Sequence, residues 1–267
     1  MNPASKPGNF PLIPRRSKIN ILSVLAVVAL LYIIAAYVTN AAPDRVINGL
    51  PQIFNFVFGN LIPPNWSYYD TVAGSLLETW NIALLATTLS VFFCLPIAFL
   101  SASNINTSSI LYNIVRFAMN VLRTIPDLVL AVIFVGLVGI GAMAGIYALF
   151  FFSVGILAKL ISETIESIDP DPLEAIRSTG GNTLQVIWYG VMPQILPHYI
   201  SYSLYVLEIN VRASVVLGFV GAGGVGLILN QQLNFFNYGN VSMIILMTFV
   251  VVTLIDVVSI RLRERIV

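Results

Sequence analysis

Between Asp127 and Lys159 the chain runs through thirty-one residues without one Asp, Glu, Lys or Arg. Such a run narrows the possible backbone sharply, because hydrocarbon offers no water to an open N–H or C=O. A helix satisfies those groups within its own segment. The run has companions: residues 21 to 38 carry no charge, and none occurs between Glu78 and Arg116. Overall 58% of the 267 residues are hydrophobic and 9% are charged, with a mean hydropathy of +0.90. Soluble domains average roughly 25% charged residues. An all-α integral membrane protein is therefore expected. The net charge of +1 gives no reason to expect nucleic acid, and the single cysteine, Cys94, excludes a disulfide framework and reads as a small buried hydrophobe.

Charge placement gives the topology. Residues 1–19 read as a cytoplasmic tail ending in Arg15, Arg16 and Lys18, and residues 20–39 as the first transmembrane helix; the apolar stretch exceeds the roughly 7–15 residues of a signal peptide core. Residues 40–70, with four prolines and several aromatic residues, suggest an external loop with interfacial pieces. Residues 79–101 are long enough to span, with Pro96 as a kink. Arg116 and Arg123, seven positions apart, share a helix face and predict an interfacial helix over 110–123 leading into a span at Ile125-Pro126. Basic residues at the N-terminus, at 116, 123 and 177, and at 261, 263 and 265 belong in the cytoplasm. The chain must therefore leave and return within residues 124–168, turning near Gly139 to Gly145. One span follows Pro193 out to about residue 220, a loop without Lys or Arg covers 227–240, and residues 241–260 return. This makes six transmembrane helices with both termini cytoplasmic, five of them in a core of residues 71–267.

Residues 169–193 form a polar island in this apolar chain. Asp171 reads as an N-cap, Pro172 as the first helical residue, and Glu174 as the third, its carboxylate within reach of the cap N–H. Gly180 and Gly181 supply a left-handed stop. A helix of about two turns is marginal alone, so this one implies a packing partner.

Other motifs fall away. Gly221-Ala222-Gly223-Gly224-Val225-Gly226 spells GxGxxG, but its flanks are apolar membrane sequence and the next acid, Asp256, lies thirty positions beyond Gly226. A dinucleotide site needs a strand before it and an acid about 20 positions on; these glycines read instead as close packing or a helix break. No Gly-Lys-Ser/Thr Walker loop occurs. The lone histidine, His198, is no metal-ligand cluster, and Glu163 and Glu166 near Lys159 read as a helix-end charge cluster. No enzyme and no cofactor of the chain's own are expected. Glu208 and Arg212, at i and i+4 inside a span, are the informative charges, since an arginine at mid-span costs roughly 2.5–3.5 kcal/mol on insertion scales. They either lock the bundle as a pair or lend positive potential to an anion pathway. Asp127, after Pro126, reads as a helix-dipole partner.

Glu174-Ala175, Gly180 six positions after the Glu, and Pro193 thirteen after that glycine resemble the EAA loop of ABC importer permeases. Ile176, Gly190 and Met192 depart from the family's usual Ala, Ile and Leu. Arg123-Thr124-Ile125-Pro126-Asp127-Leu128, Arg177-Ser178-Thr179-Gly180, Tyr189-Gly190-Val191-Met192-Pro193-Gln194, Glu208-Ile209-Asn210-Val211-Arg212 and Val216-Leu217-Gly218-Phe219-Val220-Gly221-Ala222-Gly223-Gly224 are similar to the phosphonate transport permease subfamily. The resemblance implies a type I importer permease fold in the bacterial plasma membrane, paired with a second copy, two ATPase subunits that bind ATP and Mg, and an external binding protein. Asp171, Glu174, Ala175, Arg177, Gly180, Gly181 and Pro193 would serve ATPase coupling. Arg123, Asp127, Glu208, Arg212, Gly221, Gly223 and Gly224 would lie near the pathway or its gate. Phosphite and phosphate are the alternative cargoes; a secondary transporter without an ATPase is the alternative of another class.

Overall fold

The computed structural model describes residues 15–39 and 43–266, so the expected tail over residues 1–14 and the joint at 40–42 lie outside the described residues. The chain divides into two units, Met1–Asn60 and Leu61–Val267. The first unit holds α1 (Arg15–Val38), whose Ser17–Val38 part is long and apolar enough to cross a bilayer, and α2 (Pro43–Phe56). The expected loop over 40–70 is thus largely helical. Leu50, Ile53, Phe54 and Phe58 are all exposed and recur at helical spacing.

The second unit is a bundle around α3 (Tyr69–Leu100), α6 (Ala142–Glu166) and α9 (Met192–Leu217). Among the described residues five helices have the length and apolarity of a span, and a bent pair makes a sixth: α4 (Ser109–Thr124) and α5 (Asp127–Val138), set at 92°. Pro126 explains the bend, since the residue before a proline is pushed out of the helical region, and Ile125 is extended at φ −83°, ψ 119°. The twelve residues of α5 rise only about 18 Å, short of the roughly 30 Å hydrocarbon thickness. Its partner α4 is amphipathic as expected, burying Met119 and leaving most of its residues exposed. It climbs obliquely along α6 until its end meets Gly155, where an added Cβ would lie 3.3 Å from Leu122 Cβ and Arg123 Cγ. Together α4 and α5 have the length and apolarity of one crossing, broken at Pro126.

The turn after α5 falls where the glycines predict it. Gly139 and Gly141 adopt φ +94° and +140°, and α6 begins at Ala142. The span expected after Pro193 starts ten residues earlier, because Asn182 and Gln185 form a capping box that opens α8 (Thr183–Gln185). A π-helical stretch, Val186–Val191, joins α8 to α9, which then carries Pro197 inside it. Proline at 193 has no N–H to donate, and the wider i→i−5 register accommodates that loss. The expected outer loop over 227–240 is mostly helix: α10 (Val225–Asn234) and the start of α11 (Tyr238–Arg263).

The glycine run before α10 is packing hardware. Gly221, Gly223 and Gly224 have φ of +92°, +81° and +71°, and the loop folds α10 back onto α9. At the crossing an added Cβ on Gly226 would stand 1.9 Å from the Val215 carbonyl oxygen and one on Gly218 would stand 2.5 Å from Gly226 Cα. The contact admits no side chain on either helix. Gly226→Ala is therefore expected to lower the apparent Tm of the detergent-solubilised protein, at a cost of about 1–3 kcal/mol or more. Gly136→Ala, in open space on α5, should leave it unchanged or slightly raised. Equal shifts in thermal unfolding would contradict the close crossing.

Candidate functional site

Two places gather the polar residues of the bundle. The first is the island. Its helix, α7 (Asp171–Ser178), begins one residue earlier than the cap pattern predicts: Pro170 occupies the cap position, and Asp171 already lies inside the helix. The Asp171 N–H that the predicted capping box offers to Glu174 is already taken, so that box does not form. The Asp169 carboxylate instead accepts from the Asp171 N–H at 3.1 Å, and the Pro170 carbonyl accepts from Leu173 and Glu174. The predicted stop does form. Gly180 takes φ +85°, its N–H bonds the Arg177 carbonyl, and the Gly181 N–H bonds the Ile176 carbonyl, the two bonds of a Schellman motif.

One face of α7 is spoken for. Leu173 is buried and Ile176 packs beside it against Val186, Val191 and Ile195. Gln194 laces the loop to α9, accepting from the Asp169 N–H at 3.1 Å and donating to the Gly190 carbonyl at 2.9 Å. Arg177, expected at the partner contact, donates to the Asn104 carbonyl at 3.2 Å and so ties α7 to the loop after α3. The same end is closed by Arg116 and Glu166, 2.8 Å apart, with Glu166 also accepting from Ser103 N–H. Lys159 pairs with Glu163 at 2.7 Å, as the helix-end reading predicts. The opposite face of α7 presents Asp171, Glu174, Ala175 and Ser178, all exposed, and the Glu174 carboxylate makes no hydrogen bond among the described residues.

Ile176 and Gly190, two of the departures from the EAA pattern, prove to be neighbours. A Cβ on Gly190 would lie 3.2 Å from Ile176 Cδ1 and 3.4 Å from Leu173 Cδ1. The bulk that the usual pattern carries at position 190 is carried here by position 176.

The second place lies at mid-depth. Asn210 is fully buried and its amide donates to Thr87 Oγ1 at 2.9 Å and Ser153 Oγ at 2.8 Å, joining the three central helices near the middle of α6. Glu208 and Arg212 flank it on α9. Sequence spacing finds their pairing, and the structure adds two partners that spacing does not. Buried Glu208 accepts from both Arg212 and Arg263, and Arg212 reaches Asp256 at 3.3 Å. Arg263 folds back along α11, with its guanidinium 5.7 Å from the Tyr205 ring centroid. Arg123, beside Gly155, stands at a similar level on α4, exposed and without an acidic partner among the described residues. Asp127 lies in the first turn of α5, after Pro126 at the cap, and its carboxylate accepts from the Leu128 N–H at 2.8 Å, the place of a dipole partner. Gly221, Gly223 and Gly224 sit at the far end, where the Gly141 N–H bonds the Gly221 carbonyl at 2.8 Å and the Val225 N–H bonds Thr79 Oγ1 at 2.8 Å.

Gly190→Ile alone is expected to push α7 off the bundle and lower thermal stability by roughly 1–3 kcal/mol. Adding Ile176→Ala should restore most of it. The cycle is measured by Tm of the purified protein; additive losses would show that the two positions do not share space.

Comparisons with known proteins fit this geometry. Residues 94–267 match the family described as binding-protein-dependent transport system inner membrane component. The chain is 37% identical over 229 residues to the phosphite transport system permease protein PtxC of Stutzerimonas stutzeri, covering 86% of this chain and 83% of that protein. It is 47% identical over 118 residues to a putative cryptic phosphonate transport system permease protein of Escherichia coli K12, covering 44% of this chain and 97% of that one. An inward-facing structure of the MetNI methionine ABC transporter superposes with a TM-score of 0.67 at 22% identity, over 76% of this chain and 99% of that one, which establishes the type I importer permease fold. The chain thus belongs to the inner-membrane components of binding-protein-dependent transport systems, as a multi-pass protein of the bacterial inner membrane.

Proposed function

We propose that the chain is the permease subunit of an ATP-driven importer, carrying phosphonate, or the related oxyanions phosphite and phosphate, delivered by an external binding protein. The observation that carries the reading is α7. It is a short helix fastened to the bundle by Leu173, Ile176, Gln194 and Arg177, with Glu174 and Ala175 facing outward, in a chain that has no Walker loop of its own. Two copies of the chain pair with two ATPase subunits, which bind ATP and Mg. Closure of those subunits moves α7, and α9, continuous with the segment that holds α7, passes the motion to mid-depth. The names of the relatives support a phosphorus oxyanion as cargo. Arg212, half-exposed at mid-span, supports an anion pathway, with Arg123 and Glu208 in the same layer and Gly221, Gly223 and Gly224 as hinge points at the outer end.

The test is ATP hydrolysis and uptake by the assembled complex in liposomes, with the binding protein and methylphosphonate, phosphite or phosphate outside and sulfate as the contrast anion. Glu174→Arg reverses the charge at the expected contact, and like charges brought together at an interface cost several kcal/mol. Substrate-stimulated hydrolysis is expected to fall at least about tenfold while the permease still folds. Full activity in that variant would remove the coupling role.

A further inference from the structure

Four ionised groups meet between α9 and α11, and they are not held alike. Glu208 is buried and grips two guanidinium groups, from Arg212 and Arg263. Among the described residues Asp256 pairs only with Arg212, at 3.3 Å; its side chain is 30% exposed and that of Arg212 49%. The two carboxylates and two guanidinium groups sum to zero. Remove Asp256 from the count and the cluster carries one net positive charge at a depth where an unbalanced arginine is costly.

Asp256 also has an opening in front of it. A groove of about 430 Å³ runs along α11 from Ile245 to Asp256, walled by Val215 and Leu229, with Thr248 and Thr253 among its lining residues. Its length, eleven residues of helix, is about 16 Å. It starts at the end of the bundle where α10 folds back and stops at the Arg212 contact. Its volume falls within the range of small-molecule sites, about 300–1,000 Å³. The groove is mostly apolar, so Asp256 is its principal charge.

We propose, building on the anion-import reading, that Asp256 is an internal stand-in for the cargo: it occupies Arg212 when the pathway is empty and is displaced when a phosphorus oxyanion arrives through this groove. The exchange conserves charge, since one anion replaces another on the same guanidinium. A planar guanidinium donates to two oxygens of a carboxylate or of a phosphorus oxyanion in the same forked manner. Glu208 cannot play this part, because it is buried and held from both sides; it stays and keeps Arg212 aimed. The stand-in lets a cation wait in the membrane without stranding its charge, and it sets a threshold that weakly bound anions do not cross.

The experiment measures binding of methylphosphonate to the full importer complex in lipid nanodiscs, without the binding protein, from the broadening of the ³¹P resonance. Removing a competitor raises affinity by the coupling free energy, typically about 5–150-fold. Asp256→Asn is therefore expected to tighten methylphosphonate binding at least about fivefold, and Asp256→Glu should behave as the original chain does. Arg212→Met should abolish binding, and Asp256→Asn should gain nothing in that background. Co-purification of the ATPase subunits shows that each variant is assembled. Unchanged or weaker binding in Asp256→Asn overturns the proposal, as does a gain that survives Arg212→Met; either result makes the cluster a lock between α9 and α11. The cargo reading fails separately, if the unaltered complex with its binding protein imports none of the three phosphorus oxyanions.

Discussion

Every break in a helix inside a bilayer exposes backbone groups that only the protein itself can satisfy, and the core of this protein is arranged around that demand. At the outer end the turn between α5 and α6 and the glycine run before α10 are both non-helical, and each satisfies the other: the Gly141 N–H bonds the Gly221 carbonyl. The N-terminus of α10 finds its acceptor in the Thr79 hydroxyl, whose own proton goes to the Ser75 carbonyl. At the inner end the Schellman bonds of Gly180 and Gly181 and the side chain of Gln194 do the same for α7. Three crowded glycine positions, 145, 218 and 226, let the chains approach closely enough for these bonds, with an added Cβ at 145 only 2.6 Å from the Ala222 carbonyl oxygen. The glycines that imitate a nucleotide fingerprint in sequence are there because broken backbone must be packed against backbone.

The same demand explains why the polar side chains form a layer. Hydrogen bonds between membrane helices contribute modestly, about 0.6 kcal/mol on average, so the Asn210 links to Thr87 and Ser153 fix the register of α3, α6 and α9 more than they stabilise it. Ser90, donating to the Phe150 carbonyl at 3.1 Å, and Tyr199, donating to the Val91 carbonyl at 2.7 Å, repeat the arrangement nearby. A charge placed next to such a fixed layer is held at a defined depth. Glu208 and Arg212, two residues to either side of Asn210 on α9, inherit that position.

Legibility in the sequence followed the range of the interactions. Hydropathy found the spans, and the glycine stop of α7, the turn at Gly139 to Gly141 and the dipole role of Asp127 depend on neighbours within a few residues. Local signals also misled by small steps: Asp171-Pro172 resembles a helix start, yet Pro170 already occupies the cap and Asp169 performs the capping. The start of the long helix at Thr183 is also written locally, in Asn182 and Gln185, although Pro193 imitates a start ten residues downstream. The partners of the mid-depth charges were not legible at all. Asp256 and Arg263 lie 44 and 55 positions from the residues they meet, and no spacing rule reaches across a second helix. The pairing of Ile176 with Gly190 is of the same kind: each departure looks arbitrary alone, and only their 3.2 Å approach makes one the counterpart of the other.

One continuous stretch connects the two polar places. Residues Thr183–Val220 form an almost unbroken helical segment of 38 residues, about 57 Å long at 1.5 Å per residue. Its first turns support α7 through Gly190 and Gln194; its final third carries Glu208, Asn210 and Arg212. A segment of this length transmits displacement only where it is stiff; its two irregular stretches lie toward its ends, the π-helical Val186–Val191 directly under α7 and the 3-10 turn Gly218–Val220 at the outer end. Register changes thereby fall outside Met192–Leu217, one of them at the end that meets a partner, while the part holding Arg212 is ordinary α-helix braced by α3 and α6. On the proposed reading this separates the two tasks physically: compliance where force enters, rigidity where an anion must find its guanidinium.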